Sequence, residues 1–246
     1  MNKLLNYYYL YYHKIKAFLW RKRASKNNCY GLCLMFHGIY EEEQIDGGKT
    51  DLDVSLDFFK RSIMQLLDNG YSIVNIEEGL ELLKKKKNGK FAIITFDDAH
   101  DSVLHYAYPF LKLHNIPFTL FIACDYMQTK GYIDKDHLNE VSKDQLCTVG
   151  SHSMSHTFLR GNKNTDLEIE GSKKLLEANL GKEILYFAYP YGSCFAVDYK
   201  SVQKVSKYYR AAFSTIDAPL SSCSLDHLYF LPRVLVTPNS KFNEYL

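Results

Sequence analysis

The chain has 246 residues, 46% hydrophobic and 24% charged, enough apolar material for one large α/β domain or two small ones, which excludes a disordered chain. Net charge is only +2, yet residues 1–28 hold seven Lys/Arg and no acid, leaving a body with 23 basic and 28 acidic residues. A mildly acidic body argues against a nucleic-acid enzyme, because phosphate binding calls for basic surface.

The first stretch, MNKLLNYYYLYYHKIKAFLWRKRASKNN, is basic and aromatic. It lacks an A-x-A-like cleavage site and is too short and too charged to span a bilayer. It reads as a basic N-terminal helix, residues 1–28, ahead of a domain over 29–246. Such a segment packs on the domain as a helix, stays a loose tail, or lies on an anionic membrane surface. The expected location is cytoplasmic, with peripheral contact at the inner membrane face. Six cysteines, at 29, 33, 124, 147, 194 and 223, include one CxxxC pair but no second pair with zinc-like spacing, so reduced thiols are expected.

GLCLMFHGI (31–39) reads as a buried strand ending at His37. SLDFFKRSIMQLLDNG (55–70) has helical apolar spacing, Ser55 as N-cap and a glycine stop. YSIVNI (71–76) is a short strand, and Asn75 caps the helix IEEGLELLKKKK (76–87), whose lysines 84–87 form a solvated end. The strand FAIITF (91–96), a helix over about 100–114 and the strand PFTLFIA (117–123) follow. Residues 125–145 are polar and helical near their end, and QLCTVGSH (145–152) contains a short strand. Thr165 or Asp166 starts a long helix that Gly181 closes. ILYFAYP (184–190) is a strand, VDYKSVQKVSKYY (197–209) a helix, and RAAFST (210–215) and FLPRVLV (230–236) are the last strands. The alternation predicts a mainly parallel sheet with covering helices, and about seven βα units predict a small, incomplete barrel.

Active sites of parallel α/β folds gather at the C-terminal ends of strands. His37, Asp97 and Asp98, His152 and His156, and Tyr191 all fall there. A buried strand ending in two adjacent carboxylates needs a cation beside it, a metal or an arginine or both. His152 and His156 lie four residues apart, and a helical turn would put both on one face, in reach of one ion with a carboxylate as third ligand. That donor set, with a fourth position open, describes a catalytic rather than a structural metal.

Together LMFHGI, TFDDAHDS, SHSMSH and FAYPYG resemble the polysaccharide deacetylase family, the NodB-homology or carbohydrate esterase 4 group, over about residues 31–236. The resemblance implies a distorted (β/α)7 barrel. It implies Asp97 as general base, Asp98, His152 and His156 as metal ligands, and the Tyr191 backbone N–H as part of an oxyanion hole. The LxH motif of many members is missing near the C-terminus. LMFH at 34–37 instead resembles the circularly permuted poly-N-acetylglucosamine type, which makes His37 the general acid; His227 is the competing choice.

The chain departs from the family at three places. Ala99 stands where glycine is usual, at a position whose backbone angles alanine resists unless φ is negative. Ala188 replaces the usual RxPY arginine, leaving Arg233 in LPRV to hold Asp97. The single tryptophan, Trp20, lies outside the matched region, so sugar stacking falls to tyrosine or phenylalanine, with Tyr189 and Tyr191 as candidates. The implied function is metal-dependent removal of acetyl groups from N-acetylated sugars of a glycan or lipid-linked glycan. Zinc is the expected ion, and cobalt, nickel or manganese could substitute. The alternatives are a catalytically inactive glycan-binding protein and an amidohydrolase acting on a small cyclic amide.

Overall fold

The computed structural model describes residues 12, 14–22, 29–41, 50–85, 89–240 and 242–246. Two eight-residue strands, β1 (Cys29–Phe36) and β5 (Gly89–Phe96), run parallel in full register from Cys29↔Gly89 to Phe36↔Phe96. Their runs of apolar residues suit strands covered on both faces. From β5 the sheet continues in parallel through β6 (Phe118–Ile122), β7 (Cys147–Ser151), β8 (Tyr186–Ala188) and β9 (Ala211–Phe213). It then closes on itself. Leu231 bridges Phe213 in parallel, and the following strand β11 (Val234–Leu235) pairs with Leu34 and Met35 of β1. These strands form the expected distorted (β/α)7 barrel.

The distortion has a local cause. The short strand β4 (Tyr71–Ile73) occupies the first half of one edge of β5, so β6 meets only Thr95 and Phe96. On β1, an antiparallel strand β10 (Leu220–Ser221) covers Tyr30 and Gly31 and leaves β11 the far end. A small pair, β2 (Ile39–Tyr40) with β3 (Val54–Ser55), lies outside this sheet. Strand alternation sorts the apolar residues into two cores. Cys33, Phe91, Ile93, Phe121, Ala188 and Phe213 fill the barrel, whereas Leu34, Ile94, Leu120, Phe187 and Val234 face the surrounding helices.

The helix boundaries follow local chemistry. Helix α1 covers residues 14–22. Helix α2 (Leu56–Asp68) begins where Ser55 Oγ accepts from Phe58 N–H. Asn75 and Glu78 form reciprocal side chain–backbone bonds at the start of α3 (Ile76–Lys85). Helix α4 (Tyr108–Leu113) continues a π-turn, Val103–Ala107. Helix α5 (Lys135–Val141) is capped by Asp134. The long predicted helix is a π-turn, Leu167–Gly171, leading into α6 (Ser172–Leu180), which Gly181 ends at φ 65°. Helix α7 (Tyr199–Tyr208) starts at the Asp198 cap.

Helix α1 packs on the barrel through buried Ala17 and Trp20 and through Arg21, which ion-pairs with Asp217 and donates to the Tyr245 hydroxyl at 2.8 Å. Residues 1–11, 13 and 23–28, and lysines 86 and 87 of the lysine run, lie outside the described residues. Cys33, Cys124, Cys147, Cys194 and Cys223 are free thiols.

Gly150 on β7 lets β6 and β8 close in around the strand that delivers His152. A Cβ there would meet the Phe121 ring at 2.5 Å and the Tyr186 carbonyl at 3.0 Å. Gly150→Ala is therefore expected to destabilise the fold by about 1–3 kcal/mol, read from the urea unfolding midpoint.

Candidate active site

Strand β5 keeps its ladder one residue past its end, with Asp97 N–H donating to the Phe36 carbonyl at 2.9 Å. The chain then turns through two left-handed residues, Asp98 (φ 67°) and Ala99 (φ 65°). The Ala99 methyl is thus held in the region that favours glycine, and the negative φ that would have made the replacement harmless does not occur. The turn sends the two carboxylates to different partners. Arg233, wholly buried inside the barrel, grips Asp97 in a fork, Nη1 to Oδ1 and Nη2 to Oδ2, each at 2.7 Å. Arg233 is itself fixed by the Ser214 carbonyl at 3.1 Å and Thr95 Oγ1 at 3.2 Å. Burial pushes the Asp97 carboxyl upward, but the Arg233 charge, with His152 and His37, outweighs it and leaves Asp97 below the usual carboxylate range.

Asp98 turns toward the two histidines. Its Oδ1 lies 3.1 Å from His156 Nε2 and 3.4 Å from His152 Nε2. One ligand atom from each of the three residues falls within 4.8 Å of the others. His152 Nδ1 is bonded to the Ala188 carbonyl at 2.8 Å, which assigns its proton to Nδ1 and leaves the Nε2 lone pair facing Asp98. Burial pushes the His152 imidazole toward its neutral, ligating form. Burial also opposes ionisation of Asp98, but the adjacent His156 and His152 imidazoles outweigh it and hold the carboxyl well below the ordinary range. Asp98 Oδ1 is nonetheless buried without a well-formed hydrogen bond. An orphaned carboxylate oxygen sharing its space with two imidazole nitrogens fits a divalent cation.

The two histidines converge without the expected helical turn. Residues 152–156 form a loop, with Ser153 at φ 70° and His156 at φ 54°. Ser153 Oγ accepts the His156 N–H at 3.0 Å, and a buried carboxylate, Glu168, accepts the N–H groups of Met154 and Ser155 at 3.1 and 3.0 Å.

The rim holds the remaining residues. His37 follows the end of β1 and is buried, its Nδ1 without a hydrogen-bond partner among the described residues. Asp53 accepts the next N–H, that of Gly38, at 2.8 Å and fixes the turn beyond His37. Tyr191 has φ 59° and its N–H donates to no described residue, while its 53% exposed ring packs 4.8 Å from His156 and 4.5 Å from Phe158.

Two sequence candidates are corrected. Tyr189 cannot stack on a sugar, because it is fully buried between Phe187 and Phe230 and its hydroxyl donates to the Tyr229 carbonyl at 2.8 Å. His227 stacks on Trp20 at 5.3 Å, within the contact of α1 with the barrel, rather than with the carboxylates. Sequence reasoning missed Glu168, Asp53, Phe158 and Tyr126, whose ring lies 5.6 Å from that of His156. Helical phasing carried a signal for Glu168, which shares the buried face of its helix with Ser172 and Leu176.

Residues 60–211 match the family model described as polysaccharide deacetylase. Protein YxkH of Bacillus subtilis is 26% identical over 220 residues, covering 87% of this chain and 75% of that protein. A Staphylococcus aureus poly-beta-1,6-N-acetyl-D-glucosamine N-deacetylase is 27% identical over 203 residues, 76% of this chain and 69% of the relative. The crystal structure of a polysaccharide deacetylase from Bacillus cereus superposes with a TM-score of 0.74 at 26% identity, covering 88% of this chain and 67% of that one.

Removing Arg233 would strand the Asp97 charge inside the barrel. Arg233→Met is expected to cost about 3–5 kcal/mol in urea unfolding, with much of the loss recovered when Asp97→Asn is added. Additive losses in the double variant would contradict the pairing.

Proposed function

The chain belongs to the polysaccharide deacetylase family, hydrolases of carbon–nitrogen bonds, and on that premise we propose that it removes acetyl groups from N-acetylated sugars of a glycan or lipid-linked glycan. One observation carries the reading: an arginine-clamped carboxylate, Asp97, stands beside a separate Asp98–His152–His156 cluster. Those three residues would hold the divalent ion, with zinc as our assignment. When bound, the ion supplies Lewis-acid assistance to the attack of water on the acetyl carbonyl.

Asp97 is the base in this scheme. Its fork to Arg233 keeps it ionised at neutral pH and fixes its orientation, so it can take the proton of the attacking water. The Tyr191 N–H, free of any described acceptor, is available to the oxyanion of the tetrahedral intermediate. His37, at the end of the neighbouring strand, would protonate the leaving amine; its unpartnered Nδ1 leaves it able to do so. Of the two tyrosines expected to stack on the sugar, Tyr191 keeps the role, joined by Phe158, whose exposed ring packs against it. Similarity to an N-deacetylase of poly-beta-1,6-N-acetyl-D-glucosamine supports a β-linked N-acetylhexosamine as the first substrate to test.

The experiment is acetate release from such oligomers by zinc-loaded protein. Asp97→Asn and His37→Ala are each expected to lower kcat about 100- to 10,000-fold. Zinc-loaded protein that binds the oligomers but releases no acetate would favour an inactive glycan-binding protein. Turnover confined to small cyclic amides would favour an amidohydrolase.

For the N-terminal segment we propose peripheral contact with an anionic lipid surface. Among the described residues no helix is long and apolar enough to cross a membrane. Helix α1 instead turns Ile15, Phe18 and Leu19 outward, flanked by exposed Lys14 and Lys22, while Ala17 and Trp20 hold it to the barrel. That ridge suits shallow insertion beside acidic headgroups. Phe18→Glu with Leu19→Glu is expected to abolish cosedimentation with phosphatidylglycerol vesicles and leave turnover of a soluble oligomer unchanged. Undiminished vesicle binding would reject the role.

A further inference from the structure

We propose that Glu168 is a positioning residue for the metal site, acting through the loop between His152 and His156 to set the position of His156; the inference rests on the metal site proposed above. The peptide groups of this loop are almost all taken. Ser153 N–H donates to Ser151 Oγ at 3.3 Å and His156 N–H to Ser153 Oγ at 3.0 Å. The Ser153 and Met154 carbonyls accept from Cys124 and Asp125 at 3.1 and 2.8 Å. The two N–H groups between them go to one atom, Glu168 Oε2, at 3.1 and 3.0 Å, and the Ser155 hydroxyl donates to Oε1 at 2.6 Å.

Glu168 is only 4% exposed, and no lysine or arginine pairs with it among the described residues. Its charge is met by those three donors. A buried anion satisfied wholly by one loop fixes that loop's shape, since any rearrangement would strand the charge. Such a clamp is needed here, because Ser153 and His156 both sit in the left-handed region that side chains avoid.

The two imidazoles differ in their support. His152 is anchored through Nδ1 to the Ala188 carbonyl. His156 has no hydrogen bond to its Nδ1 among the described residues; its ring packs against His152, Tyr126 and Tyr191 and meets the Asp98 carboxylate only at the Nε2 that would face the ion. Its placement therefore depends on the backbone that Glu168 holds. Outer partners of ligands commonly change metal affinity 10- to 100-fold, and Glu168 does so here through peptide groups instead of a ring nitrogen.

The test measures zinc affinity of metal-free, folded protein by chelator competition, together with the visible absorption of the cobalt form. Glu168→Ala is expected to weaken zinc binding about 10- to 100-fold and to alter the cobalt spectrum. Glu168→Gln should restore most of the affinity, because an amide oxygen can still accept both N–H groups. Should Glu168→Ala fail to fold, Ser155→Ala removes a single donor and is expected to give a smaller loss of zinc affinity. Unchanged zinc affinity and an unchanged cobalt spectrum in the folded variants, whatever their thermal stability, would reduce Glu168 to a purely structural residue and overturn the proposal. Because zinc affinity is read without turnover, wild-type protein that binds zinc yet releases no acetate would sink the deacetylase reading and leave this inference standing.

Discussion

Two carboxylates side by side at the end of a buried strand repel each other, and the rest of the site is arranged around that fact. Asp97 and Asp98 cannot both ionise in a weakly polar interior unless each has its own compensation. A left-handed turn beginning at Asp98 parts the carboxylates: Asp97 turns inward to Arg233, and Asp98 turns to His152 and His156. The arginine immediately precedes β11, the strand that closes the barrel, so closing the sheet also brings in the charge that one carboxylate requires. Fold stability and the ionisation state of the proposed base are thereby one problem with one solution.

Strain is concentrated in the same place. Asp98, Ala99, Ser153, His156 and Tyr191 all have positive φ, and all lie at the strand ends that make up the site. Each such residue costs on the order of 1–3 kcal/mol and persists only where neighbouring bonds over-determine it. Those bonds are visible: Ile133 N–H to the Ala99 carbonyl at 2.8 Å, Glu168 to the histidine loop, and Thr215 Oγ1 to the Tyr191 carbonyl at 3.0 Å. The barrel provides a stiff frame, and the loops above it use that stiffness to hold conformations their side chains would not choose.

The barrel was legible in the sequence because its strands are uninterrupted apolar runs and its helices carry ordinary caps such as Ser55, Asn75 and Gly181. The grouping of chemistry-bearing residues was legible because Asp97, Asp98, His37, His152 and Tyr191 all follow strand ends. The loop between the histidines was not, since a four-residue spacing is compatible with a helical turn and with a left-handed loop, and Ser and His do not announce positive φ. Tyr189 differs from the expectation because nearness in sequence to the site does not fix which face of a strand a side chain takes. The period that points Ala188 into the barrel points Tyr189 outward beneath Phe230. Glu168 escaped because a glutamate in a charged helix looks like surface until its phase is compared with Ser172 and Leu176.

The account depends most on a divalent ion shared by Asp98, His152 and His156. Calorimetric titration of zinc into metal-free protein tests it directly. The account predicts one site per chain, lost in His152→Ala and in His156→Ala while both variants stay folded. Wild-type protein that takes up no zinc, or variants that bind it as tightly as the wild type, would contradict it.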